Sequence, residues 1–167
     1  CIAVSVFVSP WNSIDPVNLP KLVALGVLST IAFSLTLLNL SFIKNRRSRP
    51  LLLVLVLFFI QLLLALIFSS GDFSFHFYGT SGRNTGFLAY LSLGFLLFAC
   101  ATTASVLVLR KFLFSLLGVG GFLGIYGLGQ SRGVDFFDYV NAFGSNVFGT
   151  FGNPNFQSAF MGITAAA

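Results

Sequence analysis

Two glycine-containing segments hold the residues best suited to bind an anionic group, and Arg83 belongs to the first. It is a lone arginine between Gly82 and Gly86, shortly before a long apolar run. Glycine lets a backbone approach a ligand closely, and a guanidinium binds phosphate through a fork of hydrogen bonds. The other interpretation of Arg83 is an anchor whose charged end extends to lipid headgroups.

The second segment, residues 152–155, reads Gly-Asn-Pro-Asn and predicts a tight turn that leads directly into a helix. The free N–H groups at that helix start, together with the side chains of Asn153 and Asn155, could hold an anionic group. Plain capping is the alternative, because Asn153 directly precedes Pro154 and suits the N-cap position. Arg132 is a further candidate for substrate binding, for the same reasons as Arg83.

The sequence contains no other recognisable catalytic or metal-binding pattern. His76 is the only histidine, and it lies among aromatic residues without a nearby pair of acids, which makes it a poor metal ligand. No carboxylate pair, Ser/His/Asp set or Cys/His cluster is evident, and the two cysteines form no disulfide framework. We therefore predict no metal site and no cofactor, and the catalytic residues stay unassigned.

The amino-acid composition predicts the class of fold that positions these residues. Hydrophobic residues make up 56% of the chain and charged residues only 8%. A soluble domain has roughly 25% charged residues, which cover its surface. The apolar content of this chain is also more than one core could bury, so lipid must cover the rest. The composition predicts an all-α fold, a polytopic bundle of transmembrane helices with membrane lipids as partners.

Apolar runs and their breakers predict a single transmembrane domain over residues 1–167, with four complete spans and a partial span at each end. The complete spans are predicted at 21–43, 51–69, 87–109 and 112–128, and the last partial span at 154–167. Because the end runs are shorter than the ~20 residues that cross a bilayer, we expect the front portion of a larger membrane protein.

Charge places the loops on two sides of the membrane. Six basic residues without an acid fall on one side, namely Lys44, Arg46, Arg47, Arg49, Arg110 and Lys111. All four acids fall on the other side, namely Asp15, Asp72, Asp135 and Asp138. Excess Lys and Arg marks the cytoplasmic side, so loops 44–50 and 110–111 are predicted to be cytoplasmic and residues 69–86 and 129–153 outward. The net charge of +5 is then a topology signal, and no nucleic acid partner is predicted.

The predicted fourth span is rich in glycine and contains the pair Gly120 and Gly124 in a GxxxG pattern. Small residues at this spacing let helices approach closely in lipid. The alternative is a broken or flexible helix beside a cavity, an arrangement that membrane proteins use for binding sites.

Three sequence blocks resemble the O-antigen ligase family, the Wzy/WaaL-like membrane proteins. The first is Asp-Pro-Val-Asn-Leu-Pro-Lys at 15–21, before the first long span, and the second is residues 78–91, which contain Arg83. The third joins Tyr-Gly-Leu-Gly-Gln at 126–130 to residues 147–156. The blocks occur in the order found in the family and are spread over residues 15–156, most of the length of the chain.

The resemblance implies a polytopic glycosyltransferase in the bacterial cytoplasmic membrane. Such enzymes move a glycan from a polyprenyl-diphosphate carrier to an acceptor at the outer face, and their catalytic arginines and histidine lie largely in later spans. Arg83 and residues 152–155 are then expected near the diphosphate or headgroups. Some relatives are bicarbonate transporters, so the alternative is a non-enzymatic membrane protein, either a transporter-like relative or a structural subunit with neighbouring membrane subunits.

Overall fold

The computed structural model describes residues 2–9, 17–38, 49–80, 82–136 and 147–167. Within these ranges the fold is helical and contains no strand, which confirms the all-α prediction. The α-helices are α1 (Asn18–Leu37), α2 (Arg49–Phe68), α3 (Phe73–Tyr78), α4 (Phe87–Thr103), α5 (Val106–Ser131) and α6 (Pro154–Ala165). Short 3-10 helices run over Ile2–Val6 and Gly149–Phe151. Asp15, Asp138 and residues 44–48 of the basic loop lie outside the described ranges.

Two of these helices, α1 and α5, are long and apolar enough to cross a membrane. The apolar part of α2 (Leu52–Phe68) and the whole of α4 are shorter apolar helices. Helix length and composition therefore give two membrane-crossing candidates among the described residues, where the sequence predicted four complete spans.

The helices expose large apolar side chains over much of their surface. In α2, Leu55 is the one buried residue among the described side chains, whereas Ile67 and Phe68 are 69% and 79% exposed. In α5, Ile125 is 74% exposed. Soluble monomers rarely expose contiguous apolar patches of this kind, so the surface fits an apolar environment better than water.

The predicted boundary between the third and fourth spans is wrong. The sequence placed it at 110–111, but α4 ends at Thr103 and α5 begins at Val106. Ser105 is the N-cap of α5, and its hydroxyl accepts a hydrogen bond from the N–H of Val108 at 3.2 Å. The basic pair therefore lies in the first turns of α5, and a capping side chain sets the break.

Replacing Ser105 with alanine is expected to lower the free energy of unfolding by about 1 kcal/mol, because the Val108 N–H loses its acceptor. The matched control is Ser115→Ala, since the Ser115 hydroxyl donates only to the carbonyl of Lys111 within α5. Alanine is the better helix former there, so that variant should be neutral or slightly stabilising. Unfolding by SDS titration, followed by circular dichroism, measures both; equal losses would contradict the capping role.

The described residues group into two units. One, here called the terminal unit, combines Cys1–Lys21 with Ser105–Ala167, and the other, the central unit, is Leu22–Ala104. The first turn of α1 thus belongs to the terminal unit and the rest of α1 to the central unit.

The central unit is built around stacked phenylalanine rings. Phe33 of α1 stacks on Phe95 of α4 with ring centroids 4.3 Å apart, and Phe98 meets Phe33 edge-on at 5.2 Å. Gly94 leaves room for this packing, since a Cβ at Gly94 would lie 2.8 Å from the ring of Phe59. The small residue therefore lets α2 and α4 approach closely.

In the terminal unit, α5 and α6 pack through the glycines of α5. A Cβ at Gly120 would lie 2.6 Å from Thr164, and a Cβ at Gly124 would lie 3.1 Å from Met161. The helix is continuous from Val106 to Ser131. The close-packing interpretation of Gly120 and Gly124 is therefore confirmed, and α5 is not broken.

Candidate functional site

The first turn of α1 packs against residues 150–152 in the terminal unit. Lys21 donates a hydrogen bond from Nζ to the carbonyl oxygen of Thr150 at 2.5 Å, and Nζ lies 4.4 Å from the centroid of the Phe151 ring. Val17, four residues before Lys21, packs against Gly152. Gly152 has a φ of +66°, a left-handed conformation that glycine adopts without strain. The group Lys21, Thr150 and Phe151 is called the Lys21 site below.

The Lys21 ammonium is half-buried and has only neutral neighbours within hydrogen-bond or cation–π distance in the described part of the chain. A carbonyl oxygen and the face of an aromatic ring both attract a cation. Neither cancels its charge, so the described residues of this site carry a net positive charge.

Thr150 is fixed from two directions. Its hydroxyl donates to the carbonyl oxygen of Ser5 at 2.6 Å, and the residue is only 2% exposed. The preceding N–H of Gly149 donates to Oε1 of Gln130 at 2.8 Å. The carbonyl that receives the Lys21 ammonium is therefore held by side chains and backbone from distant parts of the chain.

Gln130 is the centre of a buried hydrogen-bond network at the end of α5. Its Oε1 accepts from the N–H groups of Phe148 (3.2 Å) and Gly149 (2.8 Å). Its Nε2 donates to the hydroxyl of Tyr126 at 3.2 Å and to Oδ2 of Asp135 at 2.9 Å. The Tyr126 hydroxyl donates in turn to Oδ1 of Asp135. The network uses the whole amide of Gln130 and ties the end of α5 to the segment that carries Thr150.

An open groove of about 760 Å³ runs between α5 and α6 in the same unit. Its walls are mostly apolar and include Gly127, Val147, Pro154 and Met161. Gln157 also lines it, 5% exposed, and donates from Nε2 to the carbonyl oxygen of Leu123 at 3.3 Å. Gly124 and Gly127 of α5 are among its lining residues.

The predicted turn at 152–155 is present and its capping role is confirmed. Asn153 is the N-cap of α6, and its Oδ1 accepts from the N–H of Asn155 at 2.9 Å. Pro154 occupies the first helical turn, where its missing N–H costs nothing. The side chain of Asn155 is exposed. Anion binding by these two asparagines stays a prediction.

Arg132 follows Gln130 by two residues and is the C-cap residue of α5. Its N–H donates to the carbonyl oxygen of Gly129 at 2.9 Å, and its side chain is exposed. No described contact joins its guanidinium to the Lys21 site. The structure therefore gives Arg132 a helix-terminating backbone role, and its role in substrate binding stays a prediction.

Arg83 lies in the central unit, in a loop closed by two glycines. The carbonyl oxygen of Thr80 accepts from the N–H groups of Arg83 (3.0 Å) and Asn84 (2.9 Å). At the base of the loop, a Cβ at Gly79 would lie 2.6 Å from the backbone nitrogen of Gly86. Close backbone contact therefore holds the loop shut, and it presents an exposed Arg83 side chain.

His76 is in the same unit, on α3. Its Nε2 lies 3.2 Å from the carbonyl oxygen of Ser70, and its ring borders an open hollow of about 620 Å³ together with Asp72 and Tyr78. Within the described ranges, no three acid, histidine or cysteine side chains come together as metal ligands.

Sequence reasoning missed Lys21 and Gln130 as site residues, although signals for both were present. Lys21 is the one charged residue of α1 and stands in its first turn. Tyr126 and Gln130 are four residues apart, which places them on one face of α5.

Comparisons with protein-family models, with curated proteins and with solved structures found no match to this chain. Its function must therefore be argued from its own residues.

Proposed function

We propose that this chain is the N-terminal part of an O-antigen ligase-like glycosyltransferase in the bacterial cytoplasmic membrane. The full protein would move a glycan from a polyprenyl-diphosphate carrier to an acceptor at the outer face. The observation that carries the proposal is that two of the three sequence blocks resembling this family pack together in the terminal unit.

The contacts between these blocks are specific. Lys21, from the block at 15–21, donates to Thr150, from the block at 147–156, across a separation of 129 residues. Gln130, from the part at 126–130, binds two N–H groups of the same late segment. Residues that carry the resemblance therefore form one polar cluster. The cluster contains the Lys21 ammonium, and α6 begins at Pro154, four residues after Thr150. Both features favour a diphosphate group.

The groove between α5 and α6 supports a lipid-linked substrate. It is about 760 Å³ in volume and mostly apolar, with the polar side chains of Asn155 and Ser158 also on its wall. An apolar groove with a few polar groups is typical of small-molecule sites. An isoprenoid segment would fit the apolar part, while its diphosphate would need the polar end.

The membrane arrangement that we propose has four complete spans, formed by α1, α2, α4 and α5. The shortest, α4, has 17 residues and would extend about 25 Å at 1.5 Å per residue, close to the ~30 Å of hydrocarbon. The basic pair in the first turns of α5 would then lie on the cytoplasmic side, and residues 69–86 and 129–153 outward.

Replacing Arg83 with alanine in the full-length protein is expected to lower glycan transfer at least tenfold. Its exposed guanidinium would lose a charge-assisted contact to an anionic group of the substrate or of the lipid headgroups, a contact of the kind worth about 1.5–3 kcal/mol. The measurement is transfer from a polyprenyl-diphosphate-linked glycan in reconstituted vesicles. The matched control is Arg110→Ala, an exposed arginine that the proposed topology puts on the cytoplasmic side and that should retain activity.

Two results would count against the proposal in different ways. Unchanged transfer by Arg83→Ala would remove Arg83 from the site. Failure of the folded wild-type protein to transfer any lipid-linked glycan would reject the enzyme and favour the alternative, a transporter-like relative or a structural subunit.

A further inference from the structure

We infer that the Lys21 ammonium is the cation of an anion-binding site, and that its ligand is the phosphate group of a lipid-linked molecule. The inference deepens the proposed function and rests on it for the choice of a diphosphate as the first ligand to test. Lys21 would then be a binding residue, whereas the sequence pointed to Arg83, Asn153, Asn155 and Arg132.

Charge is the first argument. The one carboxylate in the described part of the terminal unit is that of Asp135, and it accepts hydrogen bonds from Tyr126 and Gln130. None of the described carboxylates forms an ion pair with Lys21. A half-buried ammonium without a counter-charge is costly in apolar surroundings, and charged residues inside membrane segments usually mark ligand sites. A bound anion would therefore be attracted by the full positive charge of Lys21.

Hydrogen-bonding capacity is the second argument. An ammonium has three N–H donors, and in the described structure one of them is directed at the carbonyl oxygen of Thr150. The ring of Phe151 covers another side without accepting a conventional hydrogen bond. Donor capacity is therefore left for an anionic oxygen.

The third argument is that the ammonium is held in place before any ligand arrives. Thr150 is fixed by its hydroxyl bond to Ser5, and the adjacent Gly149 is fixed by Gln130. Val17 and Gly152 pack together one turn of α1 away from Lys21. A group that is already ordered loses little further freedom on binding, which favours affinity.

Phosphate is the anion that these surroundings favour. The Lys21 site lies on an apolar helix, where lipid phosphates are the abundant anions, and a lysine binds phosphate as a point charge. The chain continues from Thr150 to the start of α6 at Pro154, which is the positive end of that helix dipole.

The test measures binding, not catalysis. The purified protein is placed in phosphatidylcholine nanodiscs and titrated with geranylgeranyl diphosphate, with binding followed by isothermal titration calorimetry. Lys21→Met, which keeps an apolar stem against Phe151, is expected to weaken binding at least tenfold, the size of effect typical of a lost charge-assisted hydrogen bond. Lys21→Arg should recover part of the affinity because it restores the charge.

The matched control is Lys111→Met, which removes an exposed lysine at the opposite end of α5 and should leave the affinity unchanged. Circular dichroism and elution volume verify that all variants are folded. Equal affinity of the wild-type protein and Lys21→Met, or no binding by the wild type, would overturn the inference.

Competition identifies the source of the phosphate. Displacement by inorganic pyrophosphate would indicate that the anion alone is recognised, and displacement only when phosphatidylglycerol is added to the nanodiscs would indicate a phospholipid headgroup. Lys21-dependent binding without any glycan transfer would retain the anion site and reject the enzyme.

Discussion

Gln130→Leu is expected to lower the free energy of unfolding by about 2–4 kcal/mol, because two buried N–H groups lose their acceptor at once. These are the N–H groups of Phe148 and Gly149, both of which donate to Oε1 of Gln130. Leucine has a similar volume but cannot accept a hydrogen bond, so the cost comes from unsatisfied donors and not from a cavity. SDS-titration unfolding, followed by circular dichroism, measures the change.

The matched control for this variant is Gln61→Leu. Gln61 is exposed on α2, so its replacement should change stability by less than about 0.5 kcal/mol. A second variant, Gln130→Glu, keeps acceptor oxygens for the two N–H groups but places a carboxylate beside that of Asp135. The loss in the free energy of unfolding of this variant should be intermediate at neutral pH. It should be smaller at low pH, because protonation of the introduced carboxylate removes its repulsion from Asp135. A Gln130→Leu protein as stable as the wild type would contradict the network.

Gly120→Ala and Gly121→Ala are expected to change stability in opposite directions, although the two residues are adjacent on α5. A Cβ at Gly120 would lie 2.6 Å from the side chain of Thr164 on α6, so one helix must shift, at a cost of about 1–3 kcal/mol. A Cβ at Gly121 would meet nothing within 4 Å. Alanine there should stabilise the helix by about 0.5–1 kcal/mol.

This pair tests the packing of α5 against α6, because both variants change hydrophobicity by the same amount and leave the charge unchanged. Both variants add a single methyl group, and both remove the backbone freedom of a glycine from the unfolded chain. Stabilisation by both would mean that Gly120 does not contact α6. Destabilisation by both would mean that the other face of α5 is also in close contact.

The helices were predictable because apolar runs in this chain have few structural options. A backbone in apolar surroundings must satisfy its own hydrogen bonds, and a helix does so locally. The predicted starts at residues 21, 51 and 87 lie within three residues of the starts of α1, α2 and α4. The end of α4 was misplaced because Ala104 and the residues after Ser105 are as apolar as the helix itself. Only the capping hydroxyl of Ser105 distinguishes the break.

The candidate site was less predictable, because its contacts are distant in sequence. Lys21 was interpreted as the first residue of a span, and nothing near it in sequence indicates that its partner is the carbonyl of Thr150. Capping by Asn153 was predictable, since it depends on adjacent residues. Arg132 and Arg83 have similar sequence surroundings. Only the three-dimensional contacts show that Arg132 ends a helix, whereas Arg83 lies in a closed loop.

The division of the chain into units has a consequence for the order in which the protein is made. The central unit is one continuous stretch, so all of its residues are present in the growing chain once Ala104 has been added. The hydroxyl of Thr150 and the carbonyl of Ser5 are 145 residues apart in sequence, so their hydrogen bond cannot form until Thr150 has been added to the chain. The segment before α1 must therefore wait through the synthesis of α1 to α5 before the Lys21 site can form.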